Sequence, residues 1–232
     1  MATTVELPFE IHESFERFLN ENLELPMLPE AAARIIALCE GGIAGARDIQ
    51  VVLERDPSLA SHVLRLANSA LFAPVEPVVS LQQATSRLGM TTIRNLALAV
   101  SLRGRLFCGK QHEELTRTMW RHSALAAVFA RDLARRLRKN GDVAFLCGLM
   151  HDVGRPIVLQ AAIQRPDLLS SGAKGAQLLE AAMDQFHGRV GARLVQAWGL
   201  PYPTAAVIAC HHEPEAALEH APDARIVQLA DL

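Results

Sequence analysis

Aromatic residues are scarce in this chain, with 8 Phe, 2 Trp and 1 Tyr among 232 residues. Half of the residues are nonetheless hydrophobic, so the core is aliphatic, rich in Leu, Ala and Val. That balance favours packed helices over a β-sandwich, because sheets draw on aromatic and β-branched side chains. A period-2 alternation strong enough to indicate a sheet is missing, as are internal repeats and low-complexity segments. Nor does any stretch approach the ~20 apolar residues needed to span a bilayer. The opening segment, MATTVELPFEIHE, is acidic and lacks the basic and apolar regions of a signal peptide. Charge of one sign is also lacking: 23 basic against 25 acidic residues leave a net −2, which gives no electrostatic footprint for nucleic acid. The four cysteines, Cys39, Cys108, Cys147 and Cys210, stand singly, without a CxxC spacing. They read as reduced thiols. The expectation is a cytoplasmic protein with neither a membrane nor a nucleic-acid partner.

What is present is one helical pattern after another, long enough for one large domain or two modest ones. Phe9 to Leu23 is a short amphipathic start. Pro29 stands near the first position of a helix over Glu30–Glu40, which ends at Gly41-Gly42. Asp48 is expected to cap the next helix, and Asp56-Pro57 to restart the chain into Leu59, Val63 and Leu66. Ser80 opens a helix that Gly89 closes, and Thr91 opens the apolar run to Val100. The polar stretch 104–112 is the best internal boundary, dividing residues 1–108 from 109–232. Beyond it, Glu114 to Lys139 reads as one long helix with a stripe of Leu115, Met119, His122, Ala126, Phe129, Leu133 and Leu137. Asp142 opens a helix leading to His151, and further helices cover about 176–198, 202–213 and 222 onward. The fold class is all-α.

In the C-terminal half, seven polar residues interrupt apolar stripes on five helical stretches: His122, His151-Asp152, His187, His211-His212 and Asp231. One such intruder is usually a hydrogen-bonded core residue. Several are costly to bury singly, so they should find one another, a metal ion, or both. His151-Asp152 falls where a helix ends before Gly154, so its side chains can converge. Met183 and Gly191, each four residues from His187, leave room beside its imidazole. His211 and His212 point about 100° apart on a helix; either one supports the other, or the two address different metals. Asp231 lies on the face of Ala224 and Val227. Imidazoles and carboxylates together suit a borderline divalent metal such as Zn, Mn, Fe or Ni, which lowers the pKa of bound water. Cys147 and Cys210 flank these residues, and read as small buried hydrophobes.

The order H…HD…H…HH…D resembles the HD superfamily of metal-dependent phosphohydrolases. The segments LPMLPEAAARIIALCE, VVLERDPSLASHVLRLANSALF and VSLQQATSRLGMTTIRNLALAVSL resemble the first part of an HDOD domain, the HD-related output domain of bacterial signalling proteins. WRHSALAAVFARDLAR, AFLCGLMHDVGRPIVL, HGRVGARLVQAWGLP and CHHEPEAA match its second half, so the resemblance covers about residues 20–232. It implies an N-terminal helical bundle packed against an HD-like bundle. It also implies a regulatory role beside receiver, GGDEF or EAL modules, without established catalysis. By analogy with the related HD-GYP group, which hydrolyses cyclic di-GMP, His122, His151, Asp152 and Asp231 would form the HD-type site. His187, His211 and His212 would belong to an additional site, for one or two ions in all. Asp152 and Arg155 would serve catalysis if the centre is active. Two departures count against turnover: Arg155 stands where the HD-GYP pattern has lysine, and the GYP loop signature is missing after HHEPEAALEH.

Two functions follow. One is a non-catalytic signalling scaffold, for which apolar residues such as Leu66, Ala67, Ala70, Leu71 and Phe72 could serve a partner if they are not simply bundle core. The other is a metal-dependent phosphohydrolase acting on a nucleotide or cyclic dinucleotide. A third reading takes 48–68 as a DNA-binding helix-turn-helix, but no basic recognition face supports it.

Overall fold

A computed structural model describes residues 7–41, 45–69, 76–107, 112–165 and 173–231. These form helices and connecting turns, with no strand among them. No helix among them is long and apolar enough to cross a membrane. The chain divides into two compact units, one over Met27–Arg105 and the other joining residues up to Pro26 with those from Leu106 onward.

The first unit holds α2 (Glu30–Glu40), α3 (Ala46–Glu54), α4 (Pro57–Ala67), α5 (Leu81–Leu88) and α6 (Met90–Arg105). Ile35, Ile49, Leu53, Val63, Ala84 and Ile93 form its core. Its helix starts follow side-chain chemistry. Asp56 accepts a hydrogen bond from the Leu59 amide at 3.0 Å with Pro57 at the first helical position, and Ser80 accepts from Gln83 at 3.2 Å. Gly89, at φ 75°, takes the left-handed backbone that ends α5. Asp48 does not cap α3 as the sequence suggested. It lies inside the first turn and accepts from the amide of the true cap, Gly45, at 2.8 Å. Of the apolar residues considered for a partner, Ala67 is buried and Leu66 packs on the core; Ala70, Leu71 and Phe72 lie outside the described residues.

The second unit holds α1 (Phe9–Asn22), α7 (Glu113–Arg136), α8 (Gly141–Met150), α9 (Gly154–Gln164), α10 (Ala173–Ala197), α11 (Tyr202–Cys210), a 3₁₀ turn (Pro214–His220) and α12 (Ala221–Ala230). α9 is a separate helix whose start carries no side-chain cap that would mark it in the sequence. α1 packs on α10. Phe15 meets Phe186 edge-on at 5.6 Å, His12 Nδ1 donates to Gln185 at 2.9 Å, Arg189 pairs with Glu16, and Trp198 Nε1 donates to the Pro26 carbonyl at 2.8 Å. These contacts place the residues before Met27 with the C-terminal helices, whereas a cut at 108 would assign them to the first bundle.

The stripe expected on α7 is only partly the buried one. Met119 and Ala126 are buried, but Leu115, Phe129 and Leu137 are exposed, and Thr116, Ser123, Ala127, Ala130 and Ala134 face the core instead. The reason is close packing. α8 runs against α7 so tightly that a Cβ at Gly148 would lie 2.9 Å from the Ala126 carbonyl oxygen, and only small side chains on α7 permit that approach. Large side chains are therefore turned outward.

Candidate metal centre

α8 is apolar on nearly all sides and almost wholly buried. It carries the chain to a tight turn, His151–Val153, between α8 and α9, and leaves His151 and Asp152 buried at the end of an apolar helix. Gly154 follows because nothing larger fits: a Cβ there would lie 2.0 Å from the backbone oxygen of His187. That contact presses α10 onto the turn and brings His187 to Asp152. Gly188 and Gly191 do the same for α11, since Cβ atoms there would sit 3.2 Å from the Ile208 oxygen and 3.0 Å from its side chain. The small residues around His187 thus serve helix contact and do not open space beside the imidazole.

Seven side chains converge at this point. Around one corner, Asp231 Oδ1 lies 2.7 Å from His122 Nε2 and 3.0 Å from His151 Nε2, and the two imidazole nitrogens are 3.2 Å apart. Around the other, His187 Nε2 lies 3.2 Å from both His211 Nε2 and His212 Nε2. Asp152 stands between the corners. Its Oδ2 faces His151 at 3.6 Å and His122 at 3.8 Å, while its Oδ1 faces His187 at 3.4 Å. In each corner the candidate ligand atoms lie within 4.8 Å of one another. Two atoms ligating one ion at ~2.1 Å each are themselves roughly 3–4 Å apart, so the spacing fits an ion in each corner. His122 lies at the edge of the core, its side chain 38% exposed. His211 and His212 both reach His187 despite adjacency, because α11 ends at Cys210 and the pair occupies the turn beyond it.

Backbone hydrogen bonds fix which nitrogen each ring presents. His151, His187 and His211 place Nδ1 at 2.8 Å from the carbonyls of Gly148, Met183 and Ile208. A carbonyl only accepts, so each Nδ1 carries a proton; the Nε2 of His187 and His211 then turns a lone pair inward, while His151 Nε2 faces the Asp231 carboxylate. Burial, reinforced by neighbouring imidazoles, pushes His211 down to about 3, and burial also lowers His187 against the pull of Asp152. Both rings are therefore neutral at ordinary pH, and their lone pairs converge with no proton between them. For His151, burial is outweighed by the Asp231 hydrogen bond and two carboxylate charges, and its pKa is raised. Burial resists ionisation of Asp152 and Asp231, but the imidazoles around both, with Arg155 beside Asp152, hold them below the usual carboxylate range. The set is two anionic carboxylates amid imidazole nitrogens, residue types that suit a borderline divalent cation.

Arg155 Nε stands 3.1 Å from Asp152 Oδ2, and its guanidinium also pairs with Asp184. Sequence reasoning missed Asp184; its signal was a carboxylate one helical turn before His187 on the same helix. Cys147 is core, its thiol pushed up to about 12 by burial, and Cys210 packs partly buried beside it.

The second unit is all-helical and converges imidazoles and carboxylates from α7, the α8–α9 turn, α10, α11 and α12 into two clusters that could hold a metal ion. The HDOD domain family matches residues 25–214, and the chain belongs to that family. It is 27% identical to an uncharacterized protein of Treponema pallidum (strain Nichols) over 207 residues, 86% of this chain and 39% of that protein. Among solved structures, a Shewanella amazonensis SB2B protein provisionally described as a metal-dependent phosphohydrolase shares the fold at TM-score 0.73 and 21% identity, over 93% of this chain and 80% of that one. A Marinobacter aquaeolei VT8 protein provisionally described as a signal transduction protein matches at TM-score 0.71 and 28% identity, over 95% of this chain and 53% of that one. An HDOD domain protein of unknown function from Geobacter sulfurreducens matches at TM-score 0.71 and 24% identity, over 97% and 78%. The chain thus spans less than two thirds of both the Treponema and Marinobacter relatives.

Proposed function

We propose that the protein is a regulatory HDOD module built around a two-metal centre, acting in signal transduction through other proteins and not through turnover of its own. His122, His151, Asp152 and Asp231 would hold one divalent ion, and His187, His211, His212 and Asp152 a second. The observation that carries the metal reading is the inward Nε2 lone pairs of His187 and His211, neutral and without a proton between them. Receiver, GGDEF or EAL modules are the partner class the family suggests. Arg155 favours the non-catalytic role: its guanidinium is engaged by Asp152 and Asp184 and so braces the shared carboxylate instead of standing free for a phosphate.

A specific feature favours a second reading, metal-dependent hydrolysis of a phosphodiester such as a cyclic dinucleotide. A cavity of about 620 Å³ opens over the centre, lined by Met119, His122, Asp152, Arg155, His212 and Asp231 among others, within the size range of small-molecule sites. Bound divalent ions would supply a water of lowered pKa there. Asp152 and Arg155 are the residues this chain would contribute beside it.

The test is direct. Protein purified without chelator is expected to carry up to two equivalents of Fe, Mn, Ni or Zn, and Asp152→Ala to lose most of it. Bis(p-nitrophenyl) phosphate and cyclic di-GMP, assayed anaerobically with each metal, are expected to remain intact. Turnover abolished in Asp152→Ala would replace the scaffold reading with the enzymatic one. Metal-free protein that stays so after reconstitution would remove the centre.

A further inference from the structure

We infer that the second unit carries a binding subsite for the planar apolar part of a small organic phosphate, beside the metal centre and separate from the cavity above it. This rests on the metal-centre reading proposed above. Leu125 and Phe129 of α7 and Leu229 of α12 are 56%, 59% and 57% exposed. Scattered singly they would be ordinary surface, but they line one groove of about 640 Å³ with Ala126, Leu133 and Ala230. Its inner wall is His122 and Asp231, the same pair that borders the cavity over the centre. The centre therefore borders two recesses, and the groove is the one whose wall holds the exposed Leu125, Phe129 and Leu229. An apolar wall ending at cationic ions is complementary to a molecule with an oxyanion at one end and a flat hydrophobic group at the other, for which Phe129 offers a stacking face. At the far rim Arg136, 2.8 Å from Asp132, adds a polar stop. A phosphate whose oxygens reach the ions would lay its ring along Leu125, Phe129 and Leu229. Such a site gives a regulatory module an input: a phosphorylated ring compound read by metal and groove together.

Non-hydrolysable probes test this without reference to turnover. Metal-loaded wild type is titrated calorimetrically with phenylphosphonate and methylphosphonate, with metal content measured on the same samples. Phenylphosphonate is expected to bind about tenfold tighter, the ratio that ring burial supplies. In Phe129→Ser and Leu229→Ser, whose side chains are exposed, the ratio is expected to fall toward one with metal content unchanged. Equal affinities in a metal-loaded wild type, or a preference that survives both substitutions, would overturn the subsite and leave the centre standing. A protein without metal would overturn both, and the metal assay tells the cases apart. Sedimentation supplies the remaining outcome: a wild-type dimer made monomeric by Phe129→Ser would make this face an interface between copies and overturn the ligand site.

Discussion

Three imidazoles, those of His151, His187 and His211, are held by backbone carbonyls and aimed into the site, and this sets a pH signature for the metal-free protein. His187 and His211 have lowered pKa values in the fold. Below the ordinary histidine value, about 6.5, the unfolded chain binds protons that these rings refuse, so stability falls as pH falls. His151 is shifted the other way. Its contribution is full below about 6.5 and is lost as pH rises through its raised folded value. Chelator-treated protein is therefore expected to be most stable near neutrality and to weaken on both sides, with an acid limb of at most about 1.4 kcal/mol per pH unit per histidine. Urea midpoints between pH 5 and 9 check this. An ion in place of the His151 proton would remove the alkaline limb, so a limb that persists in metal-loaded protein would count against ligation by His151.

At the scale of elements, glycines decide whether the candidate ligands meet. Gly154 touches the His187 backbone, and a methyl group there requires α9 or α10 to move. Gly154→Ala is expected to cost about 1–3 kcal/mol, the range for overpacking, and to lower metal content although no ligand is altered. Far-UV circular dichroism, urea unfolding and metal analysis on the same sample separate that outcome from global unfolding. Leu218 offers the opposite case. It is exposed and held at φ 54° within the 3₁₀ turn, a backbone that glycine adopts freely. Leu218→Gly is expected to stabilise the protein by about 1 kcal/mol, read as a rise in the urea midpoint.

For the whole molecule, the division into units predicts where a metal would be felt. All seven candidate ligands lie in the second unit, and α2 to α6 lie in the first. Metal binding to the native state alone adds about 4 kcal/mol at a thousandfold excess over Kd. Hydrogen exchange is expected to show that protection concentrated in α7 to α12, with amides of α2 to α6 unchanged on chelation. Slowing spread evenly over both units would mean that they unfold as one.

Much of this was legible in the chain itself. Scarce aromatics and recurrent three-and-four spacing specified helices, and Asp56-Pro57, Ser80 and Gly89 marked their ends through local chemistry that needs no distant partner. Residue type and order also brought out His122, His151, Asp152, His187, His211, His212 and Asp231, because imidazole or carboxylate on an apolar stripe is too costly to leave unpartnered. What periodicity could not decide was which face of α7 is buried. Leu115, Phe129 and Leu137 have core chemistry, yet the approach of α8 at Gly148 selects alanines for the interior. The membership of α1 in the second unit, the bracing of Arg155 by Asp184 and the position of Asp152 between two imidazole corners likewise depend on helix packing. Sequence determined the candidate ligand types and the helices that carry them, since both are local. Distances between side chains 29 to 109 residues apart were set only when glycine contacts let the backbones close.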